Sequence, residues 1–192
     1  MLRQSPTSAM PSFSVHKSVV IRSDPETVYA MLRDFKRWPS WSPWLVTEPD
    51  CPLKFSPDVS SYEWDGRFVG SGRATISGES APEHISIQLA FQRPWKSNAE
   101  VEFLLSTDLE GTRVTWTMKS AVPWFLFFMR SMMEALIGMD YDRGLSMLKD
   151  RLETGNVPSR LEFVGVQDSP AVRYVVSVLR RPWWRAGGEL LS

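Results

Sequence analysis

One carboxylate stands out among the few side chains of this sequence that could do acid–base chemistry. Asp140 lies in the run from Pro123 to Glu153, where apolar residues recur at the spacing of one helix face. Burial in such a stripe raises the pKa of a carboxyl group, as a general acid or base requires, and the neighbouring Tyr141 could donate a hydrogen bond. The simpler interpretation, which we favour from sequence, is that Asp140 pairs with Arg73 or Arg143, or faces solvent.

The other residues capable of nucleophilic or metal chemistry are scarce. Cys51 is the only cysteine, which excludes an intrachain disulfide, and it precedes a proline without a basic cluster nearby, so we expect an inert thiol. His16 and His84 are the only histidines, and both fall on predicted strands. This set supports neither a zinc site nor a Ser/His/Asp triad. We therefore predict no metal and no cofactor.

Charge and terminal composition restrict the partners. Lys plus Arg equals Asp plus Glu at 22 each, so nucleic acid is not expected. Residues 1–12 are polar and contain no apolar core of a signal peptide, so we predict a disordered lead-in and a cytoplasmic protein. The apolar run VPWFLFFM is soon followed by Arg130 and Glu134, which makes it too short to span a bilayer. Membrane contact is expected to be peripheral at most.

The first part of the chain predicts a strand followed by two short helices. The alternating residues 13–22 indicate the strand, and Asp24 followed by Pro25 forms a typical helix start. A second short helix begins at Asp34, and we expect Pro39 to stop it. Three tryptophans spaced three residues apart then suggest a packed corner of a core, with a stacking platform for carbohydrate or bases as the alternative: Trp38, Trp41 and Trp44.

Short alternating strands fill the region from Cys51 to Val122. Asp65-Gly66 and Glu110-Gly111 are turn signals, and glycines on both sides of the segment RATIS are expected for a bent strand. Every second residue of each strand is apolar, so one face of the strand is apolar and the other is polar. This pattern predicts a curved antiparallel sheet with one solvent-exposed face. The helix of residues 123–153 is the long apolar element available to cover the other face.

The two halves of this helix differ in pattern. Its second half is amphipathic, so Leu145 and Leu148 should hold the sheet. Its first half is apolar almost all round, which indicates deep burial, a subunit contact or a lipid-facing surface. Gly144 removes a side chain where another group could approach closely.

Several segments together carry a resemblance to a known family. They are IRSDPETVYAMLRDFKRWPSWSPW, YEWDGRFVGSGRATI, GTRVTWTM and GMDYDRGLSMLKDRLE, within residues 13–154. The chain resembles the START-like helix-grip superfamily (SRPBCC), in its polyketide cyclase/dehydrase and lipid-transport branch. The resemblance implies an α+β helix-grip fold, in which a curved antiparallel sheet of about six to seven strands wraps around a long C-terminal helix.

The resemblance also implies a cavity for a hydrophobic small molecule or lipid between the helix and the sheet. The side chains expected to line it are Trp64, Phe91, Phe103 and Trp116 on strands, with Met133, Ile137, Asp140 and Tyr141 on the helix. We favour a ligand-binding protein without catalysis. A cyclase or dehydratase using Asp140 and Tyr141, and a protein-interaction module that includes a possible homodimer, are the alternatives.

The end of the chain predicts a separate small unit. Residues 155–160 indicate a linker, and two β-type runs around Gln167-Asp168-Ser169-Pro170 predict a hairpin within residues 161–192. The hairpin resembles the opening of gyrase-inhibitor-like effector-binding domains, here in truncated form. Because an isolated hairpin is only marginally stable, we expect it to dock on the main domain or on a second subunit.

Overall fold

The computed structural model describes residues 12–121 and 130–157. The predicted lead-in up to residue 11, the first part of the long helix at residues 123–129, and the predicted hairpin within residues 161–192 lie outside the described residues. The predicted linker is described only as far as Val157.

A seven-stranded antiparallel sheet forms the body of the protein. Its strands lie in the order β1-β7-β6-β5-β4-β3-β2, so hairpin neighbours pair in sequence and β1 closes against β7. The strands are β1 Ser12–Ile21, β2 Leu53–Phe55, β3 Ser61–Asp65, β4 Ser71–Ser80, β5 His84–Arg93, β6 Ser97–Asp108 and β7 Gly111–Ala121. The predicted curved antiparallel sheet is confirmed.

The strand alternation gives the sheet one apolar, concave face. In one cross-strand row Val15 pairs with Met118, Met118 with Val101, Val101 with Ile87, and Ile87 with Ile76, so all five point to the same face. The register of β4 shifts between Ser71 and Gly72 and again between Ile76 and Gly78. These irregularities bend β4 as the glycines predicted.

Three short helical segments follow β1. Helix α1 spans Pro25–Arg33, and Asp24 caps it as predicted, accepting a hydrogen bond from the Thr27 amide at 2.7 Å. A 3₁₀ helix spans Phe35–Ser40 and continues through Pro39, because the fixed φ of proline suits a helical turn and only one N–H is lost. The structure adds a further helix, α2 at Pro43–Thr47, that the sequence pattern did not indicate.

The long helix α3, Arg130–Thr154, packs on the concave face along β1, and its Tyr141 reaches Trp116 of β7. Leu145 and Leu148 are buried against the sheet, as predicted. Polar contacts join the helix to β1 along its second half: Lys17 pairs with Asp142, and the Lys149 ammonium donates to the Val20 carbonyl at 2.9 Å. The helix-grip architecture predicted from the sequence is therefore confirmed. Within residues 12–121 and 130–157, no helix is long and apolar enough to cross a membrane.

Candidate functional site

The concave face has two ends that differ in how completely side chains fill them. We call the closed end the aromatic cluster of Trp38, Trp41, Phe103, Trp116 and Tyr141, all of which are buried. We call the open end the set of apolar side chains on the same face that remain partly accessible: Ile76, Leu89, Phe91, Met133 and Ile137. Six of the eight predicted lining residues are divided between these two ends, and the other two, Trp64 and Asp140, border them.

Three of the predicted lining residues meet in the closed end. The Tyr141 ring stacks on Trp116 with centroids 3.9 Å apart and an interplanar angle of 22°. Phe103 packs against Trp116 with ring centroids 4.9 Å apart, and Trp41 meets the Trp116 ring edge-on at 5.8 Å. Such contacts stabilise a core, so these residues form the floor of any cavity rather than an open wall.

Gly144 makes the stacking of α3 on Trp116 possible. A Cβ atom at this position would lie 2.8 Å from the Trp116 ring and 3.1 Å from Pro43. Both neighbours are rigid rings, so neither can move aside cheaply. The sequence expectation of a close approach at Gly144 is confirmed, and the approaching group is Trp116.

The closed end contains polar groups with no partner among the described residues. The indole nitrogens of Trp41 and Trp116 are buried without an acceptor. A buried donor without a hydrogen bond costs about 1–3 kcal/mol. Burial also raises the pKa of Tyr141, so its phenol remains protonated.

The sheet side of the open end is formed by β4 and β5. Leu89 pairs across the strands with Ala74, and Ile87 with Ile76, so Ile76 and Leu89 are diagonal neighbours on the concave face. Phe91 follows on that face and meets Trp64 edge-on at 5.7 Å. Trp64 itself is buried because its ring lies over Gly72, where a Cβ atom would be 2.6 Å from it.

The helix side of the open end is the first part of α3. Met133 and Ile137 lie one turn apart on the stripe that continues to Tyr141, and both are half-buried against the core. Gly138 beside them leaves room near β1, since a Cβ atom there would lie 3.4 Å from the flexible Lys17 side chain. The described part of this end is therefore apolar and less tightly filled than the closed end.

Asp140 is half-buried and accepts a hydrogen bond from the Trp44 indole nitrogen at 3.3 Å. Burial raises its pKa, while the Trp44 hydrogen bond and the charge of Arg143 act in the opposite direction. The expected pairing with Arg73 is wrong, because Arg73 lies on the other face of the sheet and pairs with Glu63. Trp44 also meets Trp116 and Tyr141 edge-on, so Asp140 borders the closed end.

The surroundings of Cys51 and His84, the remaining candidates for chemistry, are those of residues that support the fold. Cys51 is buried, and burial raises the pKa of its thiol, in agreement with the prediction of an inert residue. His84 begins β5 and shares a hydrogen bond with the Ser86 hydroxyl at 3.1 Å. In the part of the chain that the structure describes, no group of three or more His, Cys, Asp or Glu side chains is arranged to hold a metal.

Sequence reasoning missed three residues that the structure brings to this site. Trp44 was predicted only as part of a packed corner, and its indole donor is the partner of Asp140. Leu89 and Ile76 were not predicted as lining residues, although Leu89 alternates with Ile85, Ile87 and Phe91 in the sequence. Only the β4–β5 register shows that Leu89 and Ile76 are neighbours.

Comparisons with known proteins agree with the observed fold. Residues 12–153 match the model of the family described as polyketide cyclase/dehydrase and lipid transport. No curated protein matches the chain. Solved structures match over most of this chain at low sequence identity, which shows a shared fold.

Three of these structures illustrate the range of TM-scores and sequence identities. The di-domain ARO/CYC StfQ from the steffimycin biosynthetic pathway has a TM-score of 0.60 at 10% identity, over 74% of this chain and 51% of that chain. The Aha1 dimer from Colwellia psychrerythraea has a TM-score of 0.53 at 21% identity, over 74% and 98%. CalU16 from Micromonospora echinospora has a TM-score of 0.51 at 16% identity, over 80% and 83%.

The family match covers the sheet, the short helices and nearly all of α3. The matched range therefore includes the elements that form the concave face. The chain belongs to the polyketide cyclase/dehydrase and lipid transport family.

Proposed function

We propose that the protein binds a hydrophobic small molecule or lipid at the open end of the concave face. The observation that carries this proposal is the set of partly accessible apolar side chains facing inward from β4, β5 and α3. Ligand-binding sites are concave and mostly apolar, with a few polar groups that fix orientation. Asp140 follows Ile137 by three residues on α3 and is half-buried, and its neutral form could donate a hydrogen bond to a ligand oxygen.

The energetics favour an apolar ligand of moderate affinity. Burying roughly 300 Å² of ligand carbon at about 25 cal/mol/Å² contributes on the order of 7 kcal/mol before the costs of association. Micromolar binding therefore requires a preorganised site. The rigid closed end supplies this preorganisation, because its stacked aromatic rings fix the position of α3 relative to the sheet.

The comparisons support the same class of ligand. The family includes polyketide cyclases and lipid-transport proteins, and one similar structure is an ARO/CYC protein from a biosynthetic pathway. Polyketides and lipids share an extended carbon skeleton that needs an apolar surface for binding. An apolar inward-facing surface with one carboxyl group suits this chemistry.

A matched pair of leucine substitutions tests the binding site. Leu89→Trp places a larger side chain in the open end, whereas Leu104→Trp places it on the opposite face of the sheet, where Leu104 is 50% exposed. We expect Leu89→Trp to lower the affinity for a fluorescent fatty-acid probe about tenfold and Leu104→Trp to leave it unchanged. Titration by fluorescence measures both values.

Native mass spectrometry of the protein purified from its host provides the second measurement. A copurifying apolar species should be present in the wild type and reduced by Leu89→Trp. Equal probe affinity in both variants, or no bound species and no probe uptake in the wild type, would contradict the proposed site.

Catalysis is the second candidate, and the environment of Asp140 favours it. A half-buried carboxyl group with a raised pKa, held by an indole donor, has the protonation behaviour of a general acid. Tyr141 would act next to it through a phenol that burial keeps protonated. On the ligand identified by mass spectrometry, Asp140→Asn should abolish turnover and leave affinity nearly intact.

Asp142→Asn is the matched control for this test. Asp142 lies on the same helix but is exposed and paired with Lys17 on β1. Turnover that survives Asp140→Asn, or that both substitutions lower equally, would remove Asp140 from the mechanism and leave binding alone.

A further inference from the structure

A cavity of about 500 Å³ lies at the strand ends beside the open end of the concave face. Its walls come from the end of β3, the beginning of β4, the end of β5 and the turn before β6. The terminal residues of three of these strands line it: Asp65, Ser71 and Arg93. We call it the rim cavity. The apolar side chains of the proposed ligand site are not part of it.

The rim cavity adjoins the open end through Trp64 and Phe91. Trp64 lines the cavity, and its ring meets the Phe91 ring of the open end with centroids 5.7 Å apart. Gly72 also lines the cavity and is the cross-strand partner of Phe91. Arg93 follows Leu89 by four residues, which corresponds to about 13 Å along β5. One molecule with a chain of this length can therefore reach from Leu89 to the rim cavity.

The rim cavity is positively charged. Lys54 and Lys96 line it together with Arg93. Two carboxylates also line it, and each is paired with an arginine: Glu63 with Arg73 and Asp65 with Arg93. These four cations and two carboxylates give the cavity and its ion pairs a net charge of +2. Such a cavity favours an anion over a neutral group or a cation.

Arg93 is held in position and still has donors to offer. Its Nε donates to the Ser71 hydroxyl at 3.0 Å, and its Nη2 donates to the Gly66 carbonyl at 3.2 Å and to the Asp65 carboxylate. A guanidinium group has five N–H donors, and these three contacts leave the Nη1 group, which makes no hydrogen bond within the described residues. Its two N–H groups can therefore meet an anionic oxygen from a fixed position.

We propose that the rim cavity binds the anionic group of an amphiphilic ligand whose apolar chain lies at the open end. A carboxylate, sulfate or phosphate group has the required oxygen acceptors and charge. The inference rests on the proposed function, because it names the charged end of the same ligand. Trp64 and Phe91 then lie where the chain meets the charged group.

Two lysine substitutions and a matched control test the rim cavity. Lys54→Gln with Lys96→Gln removes two charges from the cavity and leaves the contacts of Arg93 intact. Lys36→Gln with Lys119→Gln removes two charges elsewhere, since Lys36 lies in the 3₁₀ helix and Lys119 on β7, and both are exposed. The two double variants have the same net charge, so the control measures the long-range electrostatic effect alone.

Decyl phosphate and decanol are the probes, titrated by calorimetry at low salt and below the concentrations at which they aggregate. We expect the wild type to bind decyl phosphate about tenfold more tightly than decanol. Lys54→Gln with Lys96→Gln should remove most of this difference and leave the affinity for decanol unchanged. The control pair should keep both affinities within about twofold of the wild type. Added salt should weaken the binding of decyl phosphate alone.

Leu89→Trp shows whether both ends of the ligand are bound at once. We expect it to lower the affinities for decyl phosphate and for decanol alike, because it fills the open end. A loss for decanol alone would mean that the phosphate group binds without the chain, and the proposal would be wrong. Inorganic phosphate bound as tightly as decyl phosphate would lead to the same conclusion.

Failure of the rim cavity is distinguishable from failure of the open end. If decanol binds and the wild type shows no preference for decyl phosphate, the rim cavity is overturned and the apolar site remains. Equal losses of decyl phosphate affinity in the two lysine pairs would have the same meaning. Binding of neither probe would overturn both.

Discussion

The closed and open ends of the concave face arise from the same strand pattern but are filled by different partners. Phe103 and Trp116 point inward at the closed end, where Trp38 and Trp41 from the segment after α1 pack against them. Leu89 and Phe91 point inward at the open end and remain partly accessible. Alternation thus determines which face a side chain occupies, whereas the neighbouring elements determine whether space remains beside it.

The same division appears along α3. Its second half is fixed to β1 by the Lys17–Asp142 pair, by Lys149 and by Glu153, which accepts from the Arg22 amide at 2.8 Å. Among the described residues, its first turns make no such polar contact with β1. We therefore expect the closed end to determine stability and the open end to determine binding.

Truncation of an aromatic ring at each end should give the largest difference. Trp116→Ala removes a buried ring with several aromatic neighbours and should cost about 3–5 kcal/mol. Phe91→Ala removes a half-buried ring and should cost about 1–2 kcal/mol, while weakening probe binding. Urea unfolding measures both, and equal free-energy losses would contradict the distinction between the two ends.

Glycine-to-alanine substitutions in α3 should change the free energy of unfolding in opposite directions at the two ends. Gly144→Ala forces a methyl group against Trp116 and Pro43, and should cost about 1–2 kcal/mol after the gain in helix propensity. Gly138→Ala places a methyl group against the flexible Lys17 side chain and in ordinary contact with Val15, and should stabilise by up to about 1 kcal/mol. Thermal unfolding checks the signs. Destabilisation by Gly138→Ala would show that the open end is as tightly packed as the closed one.

Loss of the Trp44 indole donor should have a smaller effect. Trp44→Phe keeps an aromatic ring near Trp116 and Tyr141 but removes the hydrogen bond to Asp140, at a cost of about 1 kcal/mol. Trp95→Phe is the control, since Trp95 lies exposed in the turn between β5 and β6 and should change stability by less than about 0.5 kcal/mol. A similar cost for both would show that the hydrogen bond contributes nothing.

The pH dependence of Asp140→Asn should be the smallest effect, with a defined sign. Burial raises the pKa of Asp140 above the ordinary 3.8, so the folded state binds its proton more tightly than the unfolded state does. The contribution of Asp140 to stability is therefore full below pH 3.8 and is lost as the pH rises through the raised pKa. An asparagine at this position does not titrate, so its contribution to stability does not depend on pH.

Asp140→Asn should consequently match the wild type in acid and be slightly more stable at neutral pH. The difference should stay below about 1 kcal/mol, because solvent screens the half-exposed carboxylate. Asp142→Asn should act in the opposite direction at neutral pH, since it breaks the ion pair with Lys17. Unfolding curves between acid and neutral pH test this, and a difference independent of pH would refute a raised pKa.

The sequence predicted the elements well because their signals are local. Asp24 with Pro25 defined the start of α1, and Ile85, Ile87 and Leu89 showed the alternation of β5. The site was predicted less completely, because its properties depend on residues far apart in the chain. Trp44 reaches Asp140 across 96 positions, and no spacing rule predicts such a contact.

The difference between the two ends was likewise not predictable. Phe91 and Phe103 have the same pattern in sequence, yet one is accessible and the other is buried. Phe103 is covered by Trp116 at 4.9 Å and by Trp38 from another segment at 6.2 Å. Periodicity identifies the inward face of a strand but contains no information about which side chains of another segment will occupy the space above it.

The contacts of Lys149 and Glu153 with β1 also affect how copies of this protein meet one another. β1 is an edge strand, and its unpaired backbone groups would offer a template for strand addition by a second molecule. The Val20 carbonyl and the Arg22 amide are already bound by side chains of α3. The helix that grips the sheet thus also blocks this end of the edge against intermolecular strand pairing and the aggregation that would follow.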